Sequence, residues 1–200
     1  MKDMGELRSF LGIEITRNRK ERTITLSQMG YVDTILERFG FTEASPTYTP
    51  MVTQRLERLE GLRKGNDDAY NPWKALYSSL IGSLMYLMIA TRPDLANAVG
   101  IVSRYLSNPS EEHVKAAKHI LRYVKGTKDY ALTLGPDAKE SFNLFGYVDA
   151  DWGNDVNTRK STTGYAFYAR RGIISWCSKR QSMIALSLIE AEYIALYASI

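Results

Sequence analysis

The hydrophobic period changes sharply between residues 125 and 142 of this chain, and that change limits what it can fold into. Between about residues 27 and 125 apolar side chains recur at helical spacing. From 142 to 177 they gather in short runs rich in aromatic and β-branched residues. Helical spacing builds packed helices, whereas short β-branched runs build a sheet. The fold class is therefore α+β, a mainly helical region followed by antiparallel strands and one closing helix.

Ahead of the helices, Phe10–Ile15 and Thr23–Leu26 read as a hairpin whose tip carries Arg17, Arg19, Lys20 and Arg22. A first helix is expected with Ser27 as N-cap, an apolar stripe of Val32, Ile35, Leu36 and Phe39, and Gly40 as its stop. Residues 42–72 form a connector bracketed by Pro46, Pro50 and Pro72, with a short helix over Leu56–Leu62. Three further helices are expected. The first spans Trp73–Ala90. The second opens on the capping-box pattern Thr91-Arg-Pro-Asp94 and runs to Leu106. The third starts at Asn108-Pro109-Ser110 and ends near Val124, with Gly126 behind it. Strands then cover Phe142–Val148, Thr162–Tyr168 and Gly172–Cys177, the last two joined by a turn at Ala169-Arg170-Arg171. Met183–Leu186 reads as a further short strand, and Ser187–Ile200 as a closing helix with Ser187 and Glu190 as its capping box.

Composition excludes some classes. No apolar run reaches the roughly 20 residues a membrane span needs, since Leu76–Ala90 is broken by Ser78, Ser79, Gly82 and Ser83. No signal peptide is visible behind Met1, so no membrane partner is expected. The one cysteine, Cys177, rules out an internal disulfide and reads as a small buried thiol. A net charge of +4 permits nucleic-acid binding without requiring it.

Charge distribution says more. Lys115, Lys118, Arg122 and Lys125 fall at i, i+3, i+7 and i+10, on one face of the third helix, and no acid follows Glu112 until Asp129. A stripe of this kind suits a phosphate backbone, which gains affinity by counterion release. A solvated polar face is the other reading.

Two aspartates, Asp149 and Asp151, close the apolar run Phe145–Val148. Strand alternation puts i and i+2 on one face, and two carboxylates there call for a compensating cation such as Mg²⁺. A simple turn at Asp151-Trp-Gly-Asn154 is the other reading, and for a strand taken at random the commoner one. On the closing helix Glu190 has a capping role, while Glu192 stands in an otherwise small or apolar stretch as a solvent-facing acid or a ligand. Tyr31-Val-Asp-Thr34 and Tyr147-Val-Asp-Ala150 echo the Tyr-x-Asp-Asp box of polymerases, but each lacks its second aspartate.

Taken together, the segments resemble a known family. Met1-Lys-Asp-Met-Gly-Glu-Leu-Arg-Ser-Phe-Leu-Gly-Ile-Glu-Ile15 resembles the stretch after the polymerase box of copia-type retrotransposon reverse transcriptases. Tyr77-Ser-Ser-Leu-Ile-Gly-Ser-Leu-Met-Tyr86, Thr91-Arg-Pro-Asp-Leu95 and His119-Ile-Leu-Arg-Tyr-Val-Lys-Gly-Thr127 are similar to segments further downstream. Asp149-Ala-Asp-Trp152, Arg159-Lys-Ser-Thr-Thr-Gly-Tyr165, Ile174-Ser-Trp-Cys-Ser-Lys179 and Ala185-Leu-Ser-x-x-Glu-Ala-Glu-Tyr193 are similar to the RNase H part of these polyproteins.

The resemblance implies the end of a palm hairpin at 1–26, a thumb and connection at 27–140, and an incomplete RNase H-like domain at 141–200. It implies that Asp149 and Glu192 are metal-binding catalytic carboxylates for Mg²⁺. The partners it implies are an RNA–DNA hybrid or template–primer and the rest of the Pol polyprotein. Cytoplasmic virus-like particles or the nucleus are the implied location. By the same resemblance the polymerase aspartates belong upstream of Met1 and the third RNase H aspartate beyond Ile200. Little catalysis by the chain alone is then expected, the alternatives being a ribonuclease completed by other sequence and a structural relic. A sheet with an open edge and partial helix cover is poorly protected. Residues 142–200 expressed alone are therefore expected to melt broadly at low temperature, and a cooperative, high-midpoint transition of that piece would contradict the expectation.

Overall fold

The computed structural model describes residues 5–51, 71–136, 144–155 and 157–200. It is a mixed α/β structure of two sheets and five helices among the described residues. The order is β1 (Ser9–Phe10), β2 (Ile13–Asn18), β3 (Thr23–Ser27), α1 (Met29–Arg38), α2 (Lys74–Ala90), α3 (Ala96–Val102), α4 (Glu111–Gly126), β4 (Ala131–Leu134), β5 (Leu144–Asp151), β6 (Thr162–Ala169), β7 (Gly172–Arg180) and α5 (Leu188–Ser199). One sheet runs β1-β2-β3-β4 and the other β5-β6-β7, with every pairing antiparallel.

Helical periodicity is realised in the main core. Val32, Ile35 and Leu36 of α1 pack with Leu80, Ile81, Leu84 and Leu87 of α2, Val99 and Val102 of α3, and Ile120, Leu121 and Val124 of α4. Phe39 packs at the margin of this core, and Gly40, at φ 71°, takes the left-handed position that ends α1. The second core is much smaller. Ala150, Ala185, Ala191 and Ala195 are its buried members, with Val148 and Ile194 packed against them. A buried methyl group contributes less than 1 kcal/mol, on the order of the value for one methylene, so the β5–α5 unit has little apolar burial of its own.

Several expectations are corrected. The N-cap position of α1 is Gln28, not Ser27, although Ser27 Oγ accepts the Met29 N–H at 3.2 Å. Residues 91–106 are not one helix. They form a 3₁₀ turn at Pro93–Leu95, then α3, then a second 3₁₀ turn at Ser103–Tyr105. The capping box at Thr91 and Asp94 does not form, because both side chains are engaged elsewhere. Thr91 Oγ1 donates to Gln28 Oε1 at 2.7 Å, and Asp94 pairs with Arg92. Met183–Leu186 is irregular. The Ala185 carbonyl accepts the Trp152 indole N–H at 3.1 Å, and the Leu186 N–H donates to Glu190 Oε2 at 2.7 Å. Ser187 does cap α5, accepting the Glu190 N–H at 3.2 Å, so Glu190 serves the backbone one residue earlier than expected. Cys177 is half-buried. The helix expected over Leu56–Leu62, and the first two residues of the Phe142–Val148 strand, lie outside the described residues.

Strand β4 was not expected. It pairs Leu132 with Leu26 and Leu134 with Ile24, adding a fourth strand to the hairpin. Helix α4 starts on a reciprocal cap, with Ser110 Oγ accepting the His113 N–H while His113 Nδ1 accepts the Ser110 N–H at 2.8 Å. The β6–β7 turn has Arg170 (φ 46°) and Arg171 (φ 63°) at its two central positions. These are left-handed positions where glycine and asparagine are favoured.

The helical body and the second sheet meet along α3 and β7. The Trp176 indole N–H donates to the Met88 carbonyl at 3.0 Å. Gly100 permits the approach, since a Cβ there would lie 3.2 Å from the Ser178 carbonyl oxygen. Asp155, with its side chain 4% exposed, bonds Arg180 and lies 3.5 Å from the Arg104 guanidinium.

Two expected outcomes follow from these buried charges. Arg92 is 2% exposed and makes a fork to Asp94 at 2.9 and 2.7 Å, with further bonds to the Thr127 carbonyl and hydroxyl. Arg92→Ala is expected to cost about 3 kcal/mol in urea denaturation, because Asp94 loses its cation. Arg92→Lys should recover less than half, since an ammonium cannot reproduce the fork. For Asp155, burial pushes the carboxyl up, but bonds from Arg180 and from Thr158 outweigh it and hold the group below its ordinary value. A depressed folded value stabilises above the unfolded value of about 3.9 and is lost as the pH falls through the folded one. Melting temperatures of the wild type and of Asp155→Asn should therefore differ at pH 7 and converge as the pH falls through the folded value, below the ordinary carboxylate range. A constant gap would show that the carboxylate's charge is not what stabilises.

Candidate functional site

Asp149 lies within β5, paired across from Gly164 of β6. Its neighbour Ala150 is 6% exposed and belongs to the cluster formed with Ala191 and Ala195 of α5. Alternation therefore turns Asp149 and Asp151 together to the opposite face, as their spacing requires. On that face Asp149 opens on a cleft of ≈ 540 Å³ bordered by Asp94, Asn97, Tyr147, Tyr168 and Trp176. Asp151 closes the strand and accepts from Asn154 Nδ2 at 2.7 Å, so it serves the turn at Trp152 and Gly153. Asp155 belongs to the ion pairs with Arg180 and Arg104.

Glu192 is half-buried, one residue from Ala191 on the helix that packs against β5. Its partner element is thus the strand that bears Asp149, while the alternation of β5 directs Asp149 away from the surface α5 covers. Among the described residues neither carboxylate has a side-chain hydrogen bond or ion pair, and no group of three or more His, Cys, Asp or Glu side chains comes together as a metal cage.

The α4 cations are less uniform than their spacing suggests. Lys115 pairs with Glu111 at 3.0 Å and Glu112 at 2.8 Å, contacts that raise its pKa. Arg122 Nε donates to the Ser45 carbonyl at 2.6 Å, and Lys125 Nζ donates to the Thr42 carbonyl. Lys118 is exposed and makes no such contact among the described residues. The signal for the first capture was present in the sequence, since Glu111 and Glu112 stand four and three residues before Lys115. The 42–45 carbonyls could not be read from spacing, because they reach α4 only through tertiary folding.

The hairpin tip carries cations of a different kind. Asn18 Oδ1 accepts the N–H groups of Lys20 and Glu21, both at 3.1 Å, which fixes the turn. Arg19 is held by Glu6 at 2.8 Å. Arg17, Lys20 and Arg22 are exposed and have no ion-pair partner among the described residues.

The chain has relatives along its whole length. A family described as "Reverse transcriptase (RNA-dependent DNA polymerase)" matches residues 1–53. Over 195 residues the chain is 46% identical to the retrovirus-related Pol polyprotein from transposon TNT 1-94 of Nicotiana tabacum, covering 98% of this chain and 14% of that protein. It is 37% identical over 194 residues to the Pol polyprotein from transposon RE1 of Arabidopsis thaliana, covering 96% of this chain and 12% of that protein. An uncharacterized mitochondrial protein of Arabidopsis thaliana is 35% identical over 196 residues, 98% of this chain and 77% of its own length. No solved structure matches the chain. The chain spans only about a seventh or less of the Pol polyproteins it matches, and no helix among its described residues is long and apolar enough to cross a membrane. Its sequence, followed through in order from the hairpin to α5, belongs to the copia-type retrotransposon Pol polyproteins and includes part of their reverse-transcriptase-like sequence.

Proposed function

We propose that this part of Pol grips an RNA–DNA hybrid or template–primer. In this reading residues 1–26 are the end of the palm, 27–140 the thumb and connection, and 141–200 an RNase H-like unit. The observation that carries it is the second sheet: three antiparallel strands followed by a helix packed on the first of them, with Asp149 on that strand and Glu192 on that helix. The sequence kinship with Pol polyproteins supports the same reading. Lys118 supplies an exposed cation for phosphate, and Lys115, Arg122 and Lys125 strengthen the local field while holding the helix and its neighbouring loop.

The donors suit Mg²⁺ in kind. Asp149 and Glu192 offer hard anionic oxygens that no cationic side chain neutralises among the described residues, but β5 turns Asp149 away from the face that α5 covers, so the two do not converge on one ion here. When bound, the ion would polarise a phosphodiester and lower the pKa of a water. Two carboxylates are too few to fix two ions, so the chain by itself binds hybrid and cleaves little of it. The rest of the Pol polyprotein is then the partner that completes the chemistry.

The test is a labelled RNA–DNA hybrid incubated with the chain and Mg²⁺, beside Asp149→Asn. The expected result is binding with a Kd on the order of 10⁻⁶ M at physiological salt, without turnover. Cleavage that disappears in Asp149→Asn would establish the chain as a ribonuclease in its own right. Absence of binding would leave a structural relic and overturn the proposal.

A further inference from the structure

Two arginine-bearing hairpin turns, about 150 residues apart in sequence, meet at one end of β4. The β2–β3 turn carries Lys20 and Arg22, and the β6–β7 turn is Arg170-Arg171. Strand β4 lies between them. Its Leu134 pairs with Ile24 of β3, and the Gly135 N–H donates to the Arg170 carbonyl at 3.0 Å. Gly172 seals the junction, since a Cβ there would lie 2.4 Å from Leu134 Cδ2 and 2.6 Å from the Thr133 carbonyl oxygen. A Cβ at Gly135 would lie 3.2 Å from Thr23 Cγ2, the residue that follows the β2–β3 turn, so both turns border the same end of β4 and can meet neighbouring phosphates on one strand.

Backbone conformation marks the same two turns independently. Five non-glycine residues have positive φ among the described residues: Leu11, Arg22, Arg159, Arg170 and Arg171. Three of these five lie in the two turns, and all three are arginines. Glycine or asparagine would hold such positions more easily, and backbone strain tends to persist where it serves a site. The side chains of Lys20, Arg22, Arg170 and Arg171 are exposed, and Glu21 is the acid in the same pair of turns.

We infer that the paired turns form one cationic contact for the phosphate backbone of a nucleic acid, separate from the α4 stripe and shared between the two sheets. The inference rests on the proposed nucleic-acid reading and names a second surface for it. Guanidinium groups suit phosphate because their fork matches two of its oxygens. Anchoring on β4 fixes the spacing of the two turns before any ligand arrives, which lowers the ordering cost of binding.

The test uses the full 200-residue chain and a fluorescein-labelled RNA–DNA hybrid, with anisotropy read from 50 to 200 mM salt. One variant joins Arg170→Asn with Arg171→Gly, and another joins Lys20→Gln with Arg22→Asn. The left-handed positions accept these residues, so both variants should melt at or above the wild-type temperature. Removing two phosphate contacts should reduce the salt-dependent loss of affinity over that range by about tenfold. Lys118→Ala, on α4, should flatten it by a smaller amount that adds to either pair. An unchanged salt slope in both turn variants, with wild-type binding intact, would overturn this inference and leave the nucleic-acid reading standing. No hybrid binding by the wild type would overturn both. Polyglutamate of matched charge bound as tightly as the hybrid would also overturn the assignment to phosphate.

Discussion

Arg92 stands where α2 ends and α3 begins, with its guanidinium removed from water. Such a charge must be matched in full, and here five hydrogen bonds and two aromatic faces do so. Asp94 takes the fork, Thr127 offers its carbonyl and hydroxyl, and the rings of Tyr123 and Tyr130 lie 5.7 and 5.3 Å from the cation. Each partner belongs to a different part of the helical body. Asp94 sits in the 3₁₀ turn, Tyr123 on α4, Thr127 at its C-cap, and Tyr130 just before β4. The Tyr123 hydroxyl donates to Asp94 at 2.9 Å, and burial together with that carboxylate pushes the phenol up to about 12. One buried charge thus fixes the α2–α3 link against the end of α4, and so sets the direction in which the chain leaves towards β4.

The two halves of the molecule are held by different means. The helical body packs large aliphatic side chains around α2. The β5–α5 unit buries alanines, while Ile189, Tyr193 and Tyr197 of α5 remain largely exposed. Its attachment to the helices therefore matters to it. Trp176, Ser178 and Asp155 all reach across, with Arg180 bracing Asp155 from its own side, and a polar seam of this kind depends on both surfaces keeping their shape. Asp149 faces the same seam, so the geometry around the candidate carboxylate is set partly by Asn97 and Trp176, from the two opposing bodies.

Local signals were legible in the sequence, and so was the separation into helical and strand regions. Val32, Ile35 and Leu36 face the core as their spacing demands, and the β6–β7 hairpin has the length its turn dictates. Tyr31 and Asp33 sit in α1, as expected of a misleading polymerase-like box. Asp149 and Asp151 share a face. What could not be read depends on partners distant in sequence. Thr91 looks like an N-cap but serves Gln28, 63 residues away. Ala131-Leu-Thr-Leu134 has only four residues of alternation, and its strand identity comes from β3. Lys125 and Arg122 look like free cations on a helical wheel, yet the 42–45 segment folds over to meet them. The role of Asp155 was equally invisible, since Arg104 lies 51 residues from it.

Strand β4 also imposes an order of events. Thr25 and Thr133 meet across β3 and β4, although 108 residues separate them. Closing so long a loop is entropically costly and slow unless the intervening helices have already compacted. During synthesis on a ribosome, the hairpin must wait with one flank unpaired until residue 131 emerges and the helical body delivers it. A polyprotein containing this stretch therefore passes through an interval in which β3 can recruit a strand from another nascent copy, and the speed of helix assembly determines how long that interval lasts.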